Sequence, residues 1–205
     1  MKKLRQLLNP NTTHGPVTNI FIVTGKVQGG KTTFVEELVD ALKKKGLSIA
    51  GFLSTGTFRD GKRDSFTLKD LTSGMEIPLA ASDFREGWIR YSRFYFNPSA
   101  LERGTEMVQA GLKNHPDLIV IDEVGPMELE GKGWNGLLRT LADVDTIPQV
   151  WIARDRVVDA VLQKWNISAN HVITIDPQME NRIRRRLLGD LLENIVNFDP
   201  HHHCS

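Results

Sequence analysis

Residues 25–32 read Gly25-Lys26-Val27-Gln28-Gly29-Gly30-Lys31-Thr32, a complete G-x-x-x-x-G-K-[ST] pattern. Glycines at these places let backbone N–H groups turn inward around phosphate oxygens, and the N-terminus of a following helix adds partial positive charge. From such a loop the Lys31 amine reaches β- and γ-phosphates, and the Thr32 hydroxyl is a ligand for Mg²⁺. The flanks agree. Asn19 to Thr24 is a short apolar run suited to a buried strand, and Thr33 to Lys45 carries apolar residues at helical spacing. Strand, glycine loop and helix in that order are what the motif needs, so Gly25, Lys26, Val27, Gln28, Gly29, Gly30, Lys31, Thr32 and Thr33 are assigned to phosphate binding. The dinucleotide pattern G-x-G-x-x-G does not occur in this loop, which points to a nucleoside triphosphate.

A second constellation closes the most apolar stretch of the chain, Asp117-Leu118-Ile119-Val120-Ile121-Asp122, with Glu123 next. Alone, an apolar run ending in Asp is unspecific. Behind a phosphate loop it places a carboxylate at the same edge of the sheet, where Asp122 can hold Mg²⁺ together with Thr32. Glu123 then faces the γ-phosphate side, where a carboxylate orients or deprotonates water. That favours hydrolysis, although an acceptor hydroxyl can use the same carboxylate. Such chemistry gains from a cation that neutralises transition-state charge. Arg154 follows a predicted strand and is the strongest candidate; it joins Lys31 and Glu123 in the expected catalytic set. Arg59 and Arg63, on a hairpin, can fold over the site, and Arg103 on the polar side of a helix is weaker. Each of these arginines also has an ordinary reading as a solvated or structural side chain.

These groups need a frame. The chain has 205 residues, 40% hydrophobic and 25% charged, with net charge +1. This suits one large soluble domain, and no global field points to nucleic acid or membrane. No apolar run approaches the roughly 20 residues that span a bilayer, and the single cysteine, Cys204, has no internal partner. The expectation is a cytoplasmic protein. Residues 1–18 are turn-rich and are expected to form a flexible extension before a domain over 19–198. Residues 199–205 form a tail in which His201-His202-His203-Cys204 lacks the support of a built metal site.

Within the domain, a second strand is expected over Leu47 to Leu53. Asp60-Gly61 is a hairpin signal between Thr57-Phe58-Arg59 and the alternating run Arg63 to Leu68. A β-rich insertion over 51–97 ends in one more strand around Tyr91, Phe94, Tyr95 and Phe96, whose rings read as sheet packing rather than base stacking. Helices are expected from Asn97 to about Asn114, near Trp134–Ala142, over Asp155–Trp165, and from about Pro177 to Val196. Strands are expected at Asp117–Asp122, Gln149–Ala153 and Val172–Ile175. The last helix places Met179, Ile183, Leu187, Leu188, Leu191, Leu192 and Ile195 on one face. Arg182, Arg184, Arg185 and Arg186 are diluted by Asp190 and Glu193, so a solvated face is expected rather than a nucleic-acid site. Alternating helices and buried strands predict an α/β fold with a mostly parallel sheet covered on both faces, and a nucleotide at the carboxyl ends of its strands.

The run Ile121-Asp122-Glu123-Val124-Gly125-Pro126-Met127-Glu128-Leu129 resembles the signature of the small P-loop nucleoside-triphosphatases. This is the family of the thermophilic enzyme and the human cancer-related nucleoside-triphosphatase. Gly51-Phe52-Leu53-Ser54-Thr55 and the hairpin Arg59 to Phe66 are similar to that family's Gly-Phe strand and Arg-rich hairpin, and Glu180-Asn181-Arg182 is a weaker likeness. The resemblance implies a three-layer RecA-like sandwich with a β-hairpin insertion after the P-loop helix. It also implies slow, Mg²⁺-dependent hydrolysis of nucleoside 5′-triphosphates, ATP and GTP among them, to diphosphate and phosphate. Where members commonly carry a Pro-Gly step, this loop has Lys26-Val27-Gln28-Gly29. Two other readings stay open: a P-loop kinase whose insertion holds a nucleoside or metabolite, and a nucleotide-dependent accessory protein of the molybdopterin-dinucleotide-adaptor type. No protein partner is legible.

Overall fold

The structure, a computed structural model, describes residues 19–199. The extension expected over 1–18 and the histidine tail from residue 200 lie outside the described residues. In chain order the elements are β1 (Ile20–Thr24), α1 (Lys31–Lys44), β2 (Ile49–Arg59), β3 (Lys62–Asp70), β4 (Glu76–Ala81), β5 (Ile89–Tyr91) and β6 (Phe94–Phe96). There follow α2 (Pro98–Leu112), β7 (Leu118–Val124), α3 (Pro126–Leu129), α4 (Asn135–Ala142), β8 (Gln149–Ala153), α5 (Val158–Trp165), β9 (Val172–Thr174) and α6 (Asn181–Val196). All strands join one mixed sheet in the order β5-β6-β4-β3-β2-β7-β8-β1-β9. Its five strands from β2 to β9 run parallel.

Side-chain alternation along these strands builds two cores. Phe21, Val23, Val150 and Ile152 point to one face, where α1 seats Phe34, Leu38 and Leu42 and α6 adds Leu191 and Ile195. Ile20, Ile22, Ile119, Ile121 and Trp151 point to the other, under Ala100 and Val108 of α2, Leu138 of α4 and Trp165 of α5. Strands buried on both faces read as continuous apolar runs, and β1, β7 and β8 do. The result is the expected three-layer α/β sandwich.

The insertion is attached to the sheet through β2. β2 pairs in parallel with β7 through Ile49–Phe52. The same strand then continues to Arg59 and pairs antiparallel with β3. Asp60 (φ 51°) and Gly61 (φ 71°) close that hairpin with the two left-handed residues of a type I′ turn. β3, β4 and β6 continue the pairing, so the insertion, which breaks the βαβα order along the chain as expected, widens the sheet. The single strand expected near Tyr91–Phe96 is a hairpin of β5 and β6 that turns at Ser92, φ 55°. The last helix starts at Asn181 rather than Pro177, because Asp176 accepts from Gln178 N at 2.8 Å and Met179 N closes on its carbonyl at 3.0 Å. That turn spends the first residues of the expected helix. On α6, Leu191 and Ile195 are buried, while Ile183 is exposed.

Candidate active site

The phosphate loop leaves β1 under the end of β9. Ile175 N donates to Thr24 O at 2.7 Å. A Cβ on Gly25 (φ 145°) would lie 2.1 Å from Ile175 O, so the chain passes there only as glycine. Gly29 N donates to Lys26 O, and Gly30, left-handed at φ 83°, starts α1 by accepting from Phe34 N. The Lys31 amine donates to the carbonyls of Gly25 and Lys26, each at 2.8 Å, and so lies across the loop. Burial lowers its pKa, against the upward pull of Asp122 and Glu123.

Asp122 and Glu123 sit where β7 loses register with β8, between Ile121 and Val124. Glu123 adopts φ 61°, a left-handed conformation that a bulge imposes and that side-chain-bearing residues rarely take. Gln28, in the loop opposite, shares it at φ 62°. Asp122 is buried and accepts from Ser54 N at 3.0 Å and Glu123 N at 2.7 Å. Burial first, then the charge of Glu123, pushes its pKa up to about 7, although both N–H groups and Lys31 favour the anion. Its Oδ2 lies 3.4 Å from Thr32 Oγ1. Among the described residues no cation pairs with Asp122, and the nearby Ser54 hydroxyl is buried without a partner. A carboxylate and a hydroxyl, hard oxygen donors short of positive charge, fit a divalent cation such as Mg²⁺. No cluster of three or more His, Cys, Asp or Glu occurs among the described residues, so any ion here takes its remaining ligands from phosphate and water.

Arg154, one residue past β8, reaches Glu123 with Nη2 3.5 Å from Oε2, and both side chains are partly buried. Beyond them lies Glu128 on α3. Its Oε2 accepts from Gly125 N at 3.0 Å and its Oε1 from Trp134 N at 3.3 Å. Burial outweighs those bonds and pushes its pKa up to about 7. Gly133 makes room for this carboxylate; a Cβ there would be 2.3 Å from Oε1.

A cleft of about 730 Å³ joins these groups. Val27, Gln28, Gly29, Gly30, Lys31, Thr32 and Thr33 line it with Asp122, Glu123 and Arg154. Gly25 and Lys26 do not line it and act through their carbonyls. Arg63 lines it too, whereas Arg59 turns to Asp64 and Asp83 and Arg103 to Glu106. Arg184 does not follow the solvated pattern: it pairs with Glu37 and lies over the Phe34 ring. The aromatic residues of the insertion pack on each other, Phe66 on Phe94 at 5.0 Å and Tyr91 on Phe96 at 6.4 Å. They also wall this cleft, which their sequence positions did not reveal. Arg93, Arg156, Glu128 and Trp134 line it as well and carry no motif of their own; only Glu128 stood inside a recognisable run.

A family model described as NTPase matches residues 20–188. The nucleoside-triphosphatase THEP1 of Methanopyrus kandleri is 30% identical over 177 residues, 84% of this chain and 94% of that protein. The protein of the same name from Archaeoglobus fulgidus is 32% identical over 167 residues, 80% and 94% of the two chains. Two solved structures share the fold. The crystal structure of THEP1 from Aquifex aeolicus superposes with TM-score 0.64 at 23% identity, covering 86% of this chain and 98% of that one. The solution structure of a human cancer-related nucleoside triphosphatase gives 0.62 at 20% identity, covering 87% and 98%.

Proposed function

Since this chain belongs to the NTPase family and is a nucleoside-triphosphatase, we propose that its hydrolysis runs on the loop Gly25–Thr33, the Asp122-Glu123 pair and Arg154. The loop N–H groups and the Lys31 amine bind the phosphate chain. On binding, that amine exchanges the carbonyls of Gly25 and Lys26 for phosphate oxygens. Thr32 and Asp122 would hold Mg²⁺, which would supply positive charge to offset that of the phosphate oxygens. Glu123 orients a water for in-line attack on the γ-phosphorus and takes up its proton as the bond to the β–γ bridging oxygen breaks. Arg154 keeps the Glu123 carboxylate aimed. A cytoplasmic setting belongs to the same reading, since the one cysteine has no internal disulfide partner.

The observation that carries this reading is Glu123 itself. A strained backbone at a strand bulge turns its carboxylate into the cleft beside Asp122 and within reach of Arg154. Phosphate release and nucleotide binding by Glu123→Gln test it. The variant is expected to bind Mg·ATP as the parent does and to lose at least 100-fold in turnover. Equal phosphate release by variant and parent would overturn the mechanism.

A further inference from the structure

We propose that the insertion end of the cleft is a second small-molecule site, next to the γ-phosphate position, that takes a planar aromatic ring bearing an anionic group. The inference rests on the phosphate-site reading above for its orientation. Lys31, Thr32 and Asp122 mark the γ end of a bound triphosphate. The sheet order puts the insertion strands on the far side of β7 from β1 and β9. The cleft extends that way: among the described residues nothing beyond Arg156 lines it. A triphosphate seated on the loop therefore runs its nucleoside away from this space. The cleft as a whole, phosphate loop included, has about 730 Å³, within the range of small-molecule pockets, and a single attacking water does not need a wall of aromatic rings.

The walls define the ligand. Phe58, Phe66, Tyr91, Phe94, Phe96 and Trp134 all face the cleft, a surface suited to stacked and edge-on contact with another ring. Among them stands a cation without a counter-ion. The Arg63 guanidinium lies over the rings of Phe58 and Phe66, at 5.0 and 4.8 Å. Gly56 gives it the space, since a Cβ there would be 2.3 Å from Nη1. Its Nε is buried without a hydrogen-bond partner, and among the described residues no carboxylate pairs with it. By contrast Arg59 on the same hairpin has two acids, and Arg154 has Glu123. A guanidinium held between rings with an unsatisfied donor is built to meet a planar anion. Arg93, over the Phe94 ring at 4.6 Å, adds a second positive charge at the rim. Nucleoside 5′-monophosphates and aromatic carboxylates share this chemistry.

The test is calorimetric titration of the full chain saturated with Mg²⁺ and a non-hydrolysable ATP analogue. One arm uses 5′-AMP and 5′-CMP, the other 4-hydroxybenzoate; adenosine and inorganic phosphate serve as ring-only and anion-only controls. At least one aromatic anion is expected to bind one-to-one to the loaded protein, at least tenfold more tightly than either control. Arg63→Gln should weaken it at least tenfold. Gly56→Ala, which displaces the guanidinium without removing it, should weaken it as well and guards against a folding defect in the first variant. No binding to the loaded protein, binding only in competition with the analogue, or equal affinity in both variants would overturn the proposal. Failure of the parent protein to bind the analogue would overturn the phosphate-site reading instead, and this proposal with it.

Discussion

A carboxylate proposed to position water must not wander, and Glu123 meets that need through its neighbours. Its left-handed backbone fixes where the side chain starts, and Arg154 at 3.5 Å fixes where it ends. In the proposed mechanism the ion pair also bears on Arg154: its charge is already matched by Glu123, so it would act on the phosphate through that carboxylate. Arg154→Ala is therefore expected to lower kcat at saturating Mg·nucleotide about tenfold or more, with a smaller change in KM. Unchanged turnover removes Arg154 from the mechanism. Glu128 makes a different prediction, on stability. Its folded pKa of about 7 lies above the ordinary glutamate value of 4.5, because burial disfavours its anion. Between those values the folded protein keeps a proton that the unfolded chain releases, so stability falls as pH rises from about 4.5 through about 7. The full effect is of the order of 3 kcal/mol. Asp122 is shifted the same way and contributes to the total slope. The difference between the parent and Glu128→Gln isolates Glu128: urea denaturation should show the parent losing ground to the variant between about pH 5 and about pH 8. A constant offset across that range would mean that Glu128 titrates normally.

At the scale of elements, β2 and β7, the two strands that deliver Ser54 and Asp122, leave no room for a side chain at Gly51. Gly51 has φ 112°, and a Cβ there would stand 1.9 Å from Val120 O. Gly51→Ala must strain the backbone and separate the strands at once, a loss of about 3 kcal/mol or more. A thermal midpoint within a degree or two of the parent would contradict that. Because Asp122 accepts from Ser54 N, the same variant should also weaken nucleotide binding. Elements set by local pattern were legible in the sequence. Strand β8 runs Gln149–Ala153 as expected, α2 begins at Pro98 behind the Asn97 cap, and Asp60-Gly61 turns as its residue types require. The loop and the Asp122-Glu123 pair were legible for the same reason: each is a short motif with its own flanks. What failed was non-local or unsignalled. Nothing in residues 51–59 says that one strand pairs in parallel at its start and antiparallel at its end. Ser92 carries a left-handed turn without the Gly or Asn that usually announces one. The cleft wall is assembled from rings as far apart as Phe58 and Trp134, and no window along the chain holds them together.

For the molecule as a whole, the decisive fact is that the insertion shares a core with the nucleotide-binding half. Phe66, Leu68, Leu79, Ala80 and Phe94 pack in the same cluster as Ile20, Ile22, Ile119 and Ile121. Phe52 of β2 packs at a tilt against Trp134, ring centroids 4.5 Å apart, and Gly104 of α2 leaves space for that indole, whose Nε1 a Cβ would approach to 2.9 Å. The insertion is thus not a module hung on a finished domain. Replacing residues 62–96 by a short Gly-Ser linker would strip apolar cover from one face of the sheet. It would also expose the outer edge of β2, a long unpaired strand and hence a template for aggregation. The expected outcome is an insoluble or molten chain rather than a smaller nucleoside-triphosphatase. In the intact protein, the same coupling predicts one cooperative transition: urea unfolding followed by tryptophan fluorescence and by far-ultraviolet circular dichroism should give coincident midpoints. Trp88 reports from the insertion, while Trp151 and Trp165, packed edge to face at 5.6 Å, report from the parallel half. A Trp88→Phe variant with an unchanged fluorescence midpoint would complete the case. Two separated transitions would show that the insertion folds on its own and that the cleft between the halves is a docking seam rather than a single core.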